Sequence, residues 1–216
     1  MTEGSSSPRV TGPKIAFADI ETDGLLDQVT TTLVLCVYTK GRMMAFCDPE
    51  NYGEDVEESD FDGAISEGLE LLDTCDVLVG HNWQGYDAPA LQITNGWHSD
   101  TLVRDTAVLS RMIWSDLKTR DKAAAAKRPE GWLRKPPKKE GGKGQTMYGN
   151  HSLKAWGHRL DEHKGDHDVV GLTCCDMDTL VYCKQDVIVT KKLWDLECAR
   201  FPLIMEELEA MHEAVV

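Results

Sequence analysis

Apolar residues come first in short dense runs and later at helical spacing, which divides the chain into two halves. Residues 14–20 (KIAFADI), 31–39 (TTLVLCVYT) and 43–47 (MMAFC) are strand-length runs. The turn Lys40-Gly41-Arg42 joins the last two into a hairpin. Residues 76–80 (DVLVG) and 102–104 (LVR) add a fourth and a fifth strand. Phe61, Ala64, Ile65, Leu69 and Leu72 recur near the helical period, predicting a helix over 59–73 with Ser59 or Asp60 as N-cap. A second helix begins near Asp87, carries Ala90, Leu91 and Ile93, and stops at Asn95-Gly96. A third runs over 107–115 behind the cap Asp105-Thr106, and the later half continues as helices at 152–160, 176–200 and from Pro202 to about 213. Strands first, then strands alternating with helices, then helices alone: this order predicts an α/β domain with a central five-stranded mixed sheet flanked by helices.

One stretch breaks the pattern. Residues 118–150 hold Pro129, Pro136, Pro137 and Gly131, Gly141, Gly142 and Gly144, the signature of a long surface insertion. Charge reverses there as well. Ten Lys/Arg against three acids give the segment +7; the whole chain is −14, so the remainder carries −21. An acidic chain argues against a nucleic-acid partner, but a basic arm, and acids gathered to bind cations, weaken that argument.

No run approaches the roughly 20 apolar residues that a membrane span needs, and residues 1–13 read as a mobile tail without the apolar core of a signal peptide. The seven cysteines are scattered with no C-x-x-C pair, which fits reduced thiols in a core rather than a disulfide framework or zinc ribbon. The expected setting is the cytoplasm, with a single domain over 14–216.

Three elements carry chemistry. Asp19-Ile20-Glu21 closes the first strand, and residues two apart on a strand share a face, so the two carboxylates project together. Adjacent buried carboxylates repel, and a hard divalent cation such as Mg²⁺ or Mn²⁺ relieves that repulsion. In the second element, HNWQGYDAPAL (81–91), the fourth strand delivers His81 and Asn82 to a loop, and Tyr86-Asp87 opens a helix. There Asp87 is either an ordinary N-cap or a further site acid. In the third, Tyr182 and Asp186 stand four apart on a helix and therefore on one face, with Asp178 as a rival acid one turn earlier.

Taken together, D-x-E, N-x-x-x-Y-D and Y-x-x-x-D resemble the three motifs of the DEDD 3′→5′ exonucleases of RNase H-like fold, the tyrosine marking the DEDDy subgroup. The likeness extends over DIETDGLL (19–26), HNWQGYDAPAL (81–91), RDTAVLSRMIWSDLK (104–118), SLKAWGHRL (152–160) and YCKQDVIVTKKL (182–193), which are similar to the proofreading exonuclease domain of phage family A DNA polymerases. The resemblance implies two divalent cations, Mg²⁺ or Mn²⁺, held by Asp19, Glu21, Asp87 and Asp186. Asp19, Glu21 and Asp186 would share one ion, and Asp87 would support the second through water. A phenol with a pKa near 10 is a poor base at neutral pH, so Tyr182 is expected to position the attacking water. Leu25, Leu26, His81 and Asn82 match positions near the terminal nucleotide.

The implied activity is hydrolysis of DNA, from single-stranded or frayed 3′ ends, to nucleoside 5′-monophosphates. The intact-looking Met1 favours a stand-alone phage-type proofreading enzyme working beside a separately encoded DNA polymerase in the host cytoplasm. An exoribonuclease or oligonucleotide-degrading enzyme of the same fold is the alternative, and a non-catalytic polymerase-accessory module is a further one. Oligomeric state is not legible in the sequence.

Overall fold

A computed structural model describes residues 12–129, 131–134, 145–162 and 172–202. The five strands are β1 (Ile15–Thr22), β2 (Thr32–Thr39), β3 (Arg42–Phe46), β4 (Val77–Gly80) and β5 (Leu102–Asp105). They form one sheet in the order β3-β2-β1-β4-β5. β1 pairs antiparallel with β2, and β2 with β3, whereas β1–β4 and β4–β5 are parallel, so the sheet is mixed. Lys40 and Gly41 both take positive φ, the geometry of a two-residue hairpin turn whose twist matches the strands it joins.

The helices are α1 (Ile65–Asp73), α2 (Asp87–Asn95), α3 (Thr106–Ile113), α4 (Leu117–Ala125), α5 (Leu153–Arg159) and α6 (Met177–Arg200). The period of two along β1 divides the core. Ala16, Ala18 and Ile20 face Ile65, Leu69 and Leu72 of α1 and Ala90 and Leu91 of α2. Phe17 faces the other way, toward Leu180, Cys183, Val187 and Trp194 of the 24-residue α6. Asp19 and Glu21 have the same parity as Phe17, so the strand alone directs both carboxylates to the α6 layer. The fold is α/β with a central five-stranded mixed sheet flanked by helices, as the order of elements implies.

Two expectations need correction. The helix expected over 59–73 starts only at Ile65: residues 58–60 form a separate 3₁₀ turn in which the Asp60 carboxylate accepts from Glu57 N at 2.8 Å. Neither Ser59 nor Asp60 caps α1. The cap comes from a distance, with Asp48 accepting from Ile65 N at 3.1 Å and Glu67 reaching back to Ala64 N at 2.8 Å.

The 118–150 insertion is not loop throughout. Its first residues belong to α4, where Lys118 to Ala125 is a run of good helix formers ahead of the first proline. Leu133 and Met147 are buried with Ala155 in a small core of their own. Residues 130 and 135–144 of the insertion, residues 1–11 of the tail and the helix expected beyond Pro202 lie outside the described residues, apart from Pro202 itself.

Candidate active site

Four acids expected in the site are buried in the folded chain: Asp19, Glu21, Asp87 and Asp186. Carboxylate oxygens of Asp19, Glu21 and Asp186 lie within 4.8 Å of one another. β1 supplies two of them and α6 the third. α6 is anchored at this level by Cys183, whose thiol donates to the Asp19 carbonyl oxygen at 3.3 Å. Burial holds that thiol well above its usual pKa, with the neighbouring Cys36 and Asp19 adding to the rise, so it stays a neutral donor. Cys183 sits between Tyr182 and Asp186 and thereby fixes the height at which the helix presents both. Tyr182 is half-buried. The rival acid Asp178 is exposed and outside the cluster among the described residues.

Asp87 resolves differently from an N-cap. α2 begins at Asp87 itself, and the residue before it, Tyr86, makes no side-chain cap. The Asp87 carboxylate instead crosses to β1 and accepts from Ile20 N at 3.3 Å, between the two acids of the first strand. Burial raises its pKa well above the ordinary carboxylate range, and the charges of Asp19 and Glu21 raise it further. The donor set is thus all oxygen, compact and mutually repulsive. This fits a hard divalent cation, which would lower the energy of every charge in the cluster.

Around the acids the backbone is tightly specified. Asn82 takes the left-handed conformation at φ 64°, and a Cβ on Gly85 would fall 2.6 Å from the Asn82 side-chain oxygen. Position 85 therefore excludes any side chain while Asn82 folds over it. Asp105 caps α3, accepting from Ala107 N at 2.9 Å and Val108 N at 3.3 Å. The same carboxylate accepts from Asn82 N at 2.9 Å and Gln84 N at 3.3 Å, so it pins the loop as well. Thr106 Oγ1 donates to the Gly80 carbonyl at 3.1 Å and meets His81 Nδ1 at 2.9 Å. With the hydroxyl proton committed to Gly80, the ring proton sits on Nδ1 of His81.

The turn after β1 is equally built. Tyr86 Oη and Thr22 Oγ1 both donate to the Gly24 carbonyl, at 2.6 and 2.9 Å, and the Asp23 carboxylate accepts from Thr30 N and Thr31 N at 2.9 and 3.0 Å. On this turn Leu25 stands out 70% exposed, while Leu26 turns inward against the α1–α2 face of the sheet. Sequence reading missed Cys183, Thr22 and the second task of Asp105. A cysteine inside a helix and a threonine at a strand end carry no signal of their own. The Asp-Thr pair announced only its cap.

No family model matches the chain. It is 32% identical to the DNA-directed DNA polymerase of Enterobacteria phage T3, over 82% of this chain and 25% of that protein. With the DNA-directed DNA polymerase of Escherichia phage T7 the identity is 31%, with the same coverage of each. The chain spans about a quarter of the length of the curated relatives it matches. Among solved structures, Brucella melitensis NrnC with bound Mg²⁺ superposes with a TM-score of 0.51 at 16% identity, covering 96% of this chain and 85% of that one. The same protein bound to pGG gives 0.51 at 17%, covering 96% and 84%. These structural likenesses establish the fold, and the polymerase identities establish kinship. The chain is similar to a quarter-length portion of the T3 and T7 DNA polymerases, and it shares its fold with the NrnC structures.

Proposed function

We propose that the chain is a metal-dependent 3′→5′ exodeoxyribonuclease in which Asp19, Glu21, Asp87 and Asp186 hold two divalent cations, Mg²⁺ or Mn²⁺, and Tyr182 orients the attacking water. The observation that carries this reading is the buried three-carboxylate cluster shared by β1 and α6 in a chain related to DNA polymerases. Bound cations would supply Lewis-acid activation of water near neutral pH and stabilise the charge that builds on the phosphate and the departing 3′-oxygen. The protein's part is positioning. β1 holds Asp19 and Glu21 on one face, the Cys183 thiol sets α6 against that strand, and Asp87 closes the set from the head of α2. Exposed Leu25, carried on its braced turn, meets the terminal base, and inward Leu26 supports it. His81 and Asn82, pinned by Thr106 and Asp105, line the substrate from the far side. The products are nucleoside 5′-monophosphates.

Kinship with polymerases supports 3′ ends at or near a primer as the natural substrate, and hence proofreading beside a DNA polymerase. A second reading takes RNA or short oligonucleotides as substrate. It is favoured by the fold shared with NrnC, one solved form of which holds pGG. The deciding experiment incubates 5′-labelled single-stranded DNA and its matched RNA with Mg²⁺ or Mn²⁺, beside EDTA controls. A ladder shortening from the 3′ end of DNA, absent in EDTA, is the expected result. Shortening of RNA alone transfers the assignment to the second reading. Cleavage of neither, under either metal, overturns catalysis and leaves a binding module.

A further inference from the structure

We propose that α4 and the turn after it form a second nucleic-acid contact, in which the ammonium groups of Lys118, Lys122 and Lys127 bind the phosphate backbone of the strand leading away from the cut. This rests on the exonuclease reading and adds to it a grip on long strands, separate from the acidic site.

The first support is what α4 fails to bury. Of its nine residues only Leu117 and Asp121 are buried; these stand four apart and form its inward stripe. Lys118 and Lys122 form a parallel stripe in solvent, one helical turn apart, and Lys127 follows, also exposed. A helix so thinly attached adds little to the core. What holds it is a buried ion pair: Arg159 donates to Asp121 from Nε at 2.9 Å and from Nη2 at 2.8 Å, and Gly149 N donates to the same carboxylate at 2.7 Å. Such a pair fixes orientation more than it adds stability.

The second support is electrostatic. Several described cations are engaged by acids: Arg42 by Asp62, Arg120 by Asp116, Arg128 by Asp161, Arg159 by Asp121, Lys191 by Asp195 and Lys192 by Glu162. The three lysines of this surface have no acid partner among the described residues, in a segment of +7 set on a remainder of −21. A polyanion approaching this chain is repelled over most of its surface. It is attracted where cations fill the acidic site and where basic groups such as these project.

The third support is placement. Leu117 packs in one cluster with Val189 and Leu193 of α6, and Val189 lies one turn from Asp186. The helix is therefore rooted beside the acid cluster rather than across the domain. Trp132 is not part of the grip. The Arg128 guanidinium covers its ring at 5.4 Å from the centroid, and its indole N–H donates to the His158 carbonyl at 3.3 Å.

The test is the salt dependence of binding, read by anisotropy of a fluorescein-labelled single-stranded DNA in EDTA, where turnover is absent. Each phosphate contact on a single strand contributes about 0.7 to the slope of log affinity against log salt, so three contacts contribute about 2. The variant Lys118→Gln/Lys122→Gln/Lys127→Gln should lose that much slope and bind roughly tenfold or more weakly, while the triple Arg variant keeps both. In Mn²⁺, a labelled dinucleotide, which has no strand leading away from the cut, should be hydrolysed equally by all three proteins. An unchanged slope in the Gln variant assigns these lysines to solvent or to a protein partner and overturns the proposal. A normal slope without metal-dependent shortening of any strand leaves the grip standing and sinks the exonuclease reading instead.

Discussion

The acid cluster between β1 and α6 and the junction between α4 and α5 both bury carboxylates, yet the company each acid keeps differs. Asp121, at the junction, meets a guanidinium and a backbone N–H; its two oxygens accept three hydrogen bonds and the pair is closed. Asp19, Glu21 and Asp186 converge on one another, and Asp87 stands close enough for the charges of Asp19 and Glu21 to raise its pKa. An acid that faces a base holds the fold together. Acids that face acids make the fold depend on a cation from outside. Glu197 of α6 is a third case: fully buried, with neither oxygen hydrogen-bonded among the described residues, its pKa is pushed up to about 9 by burial and then by Asp105, so it stays protonated at neutral pH.

Removing an acid tests each case. Asp19→Ala should have the largest effect on catalysis. Loss of several kcal/mol of charge stabilisation corresponds to about 10³-fold or more in kcat/KM. Because the substitution also relieves repulsion in the cluster, thermal unfolding in EDTA should occur no lower than in the parent chain. A fall in both quantities would mean that Asp19 is structural after all.

Asp121→Ala should behave in the opposite way. It strands Arg159 in the interior at a cost of about 3–5 kcal/mol, visible as a lowered denaturation midpoint, while the folded fraction still cleaves a dinucleotide at the parent rate. Equal stability in the variant would remove the contrast between the two groups of acids.

Glu197→Gln sharpens the third case. Its folded pKa, about 9, lies above the ordinary 4.5. Between those values the folded chain holds a proton that the unfolded chain releases, so stability falls as pH rises through the window, by about 1.4 kcal/mol per pH unit. The variant should lose this slope and be the more stable protein near the top of the window. Chemical denaturation across that range reads it directly, and parallel curves would refute the assignment. Smallest of all is Asp178→Ala: exposed and outside the cluster, it should leave activity within about twofold and stability within about 0.5 kcal/mol.

These contrasts were legible in the sequence to different degrees. The five strands were visible because buried strands are dense apolar runs, and the shared face of Asp19 and Glu21 followed from the strand period alone. The one-face relation of Tyr182 and Asp186 came from helix geometry in the same way. The start of α1 was missed because its cap, Asp48, lies seventeen residues upstream of Ile65, across a loop. α4 was hidden by its neighbours, since proline and glycine from 129 onward made the whole charged segment look like loop. Asp87 as an N-cap and Asp87 as a site acid are identical in sequence; only contact with Ile20 N separates them. Glu197 lies in a stretch, ECAR, that reads as an ordinary helix surface, and nothing local announces that it is buried.

The most direct test of the central claim measures Mn²⁺ binding and 3′-end cleavage on the same preparation, by titration calorimetry and by strand shortening at matched Mn²⁺ concentrations. If the buried acids are the catalytic centre, cleavage should rise with occupancy, and Asp19→Ala should lose the binding heat and the cleavage together. Cleavage that continues without bound Mn²⁺, or an Asp19→Ala protein that binds Mn²⁺ like its parent, would contradict the account.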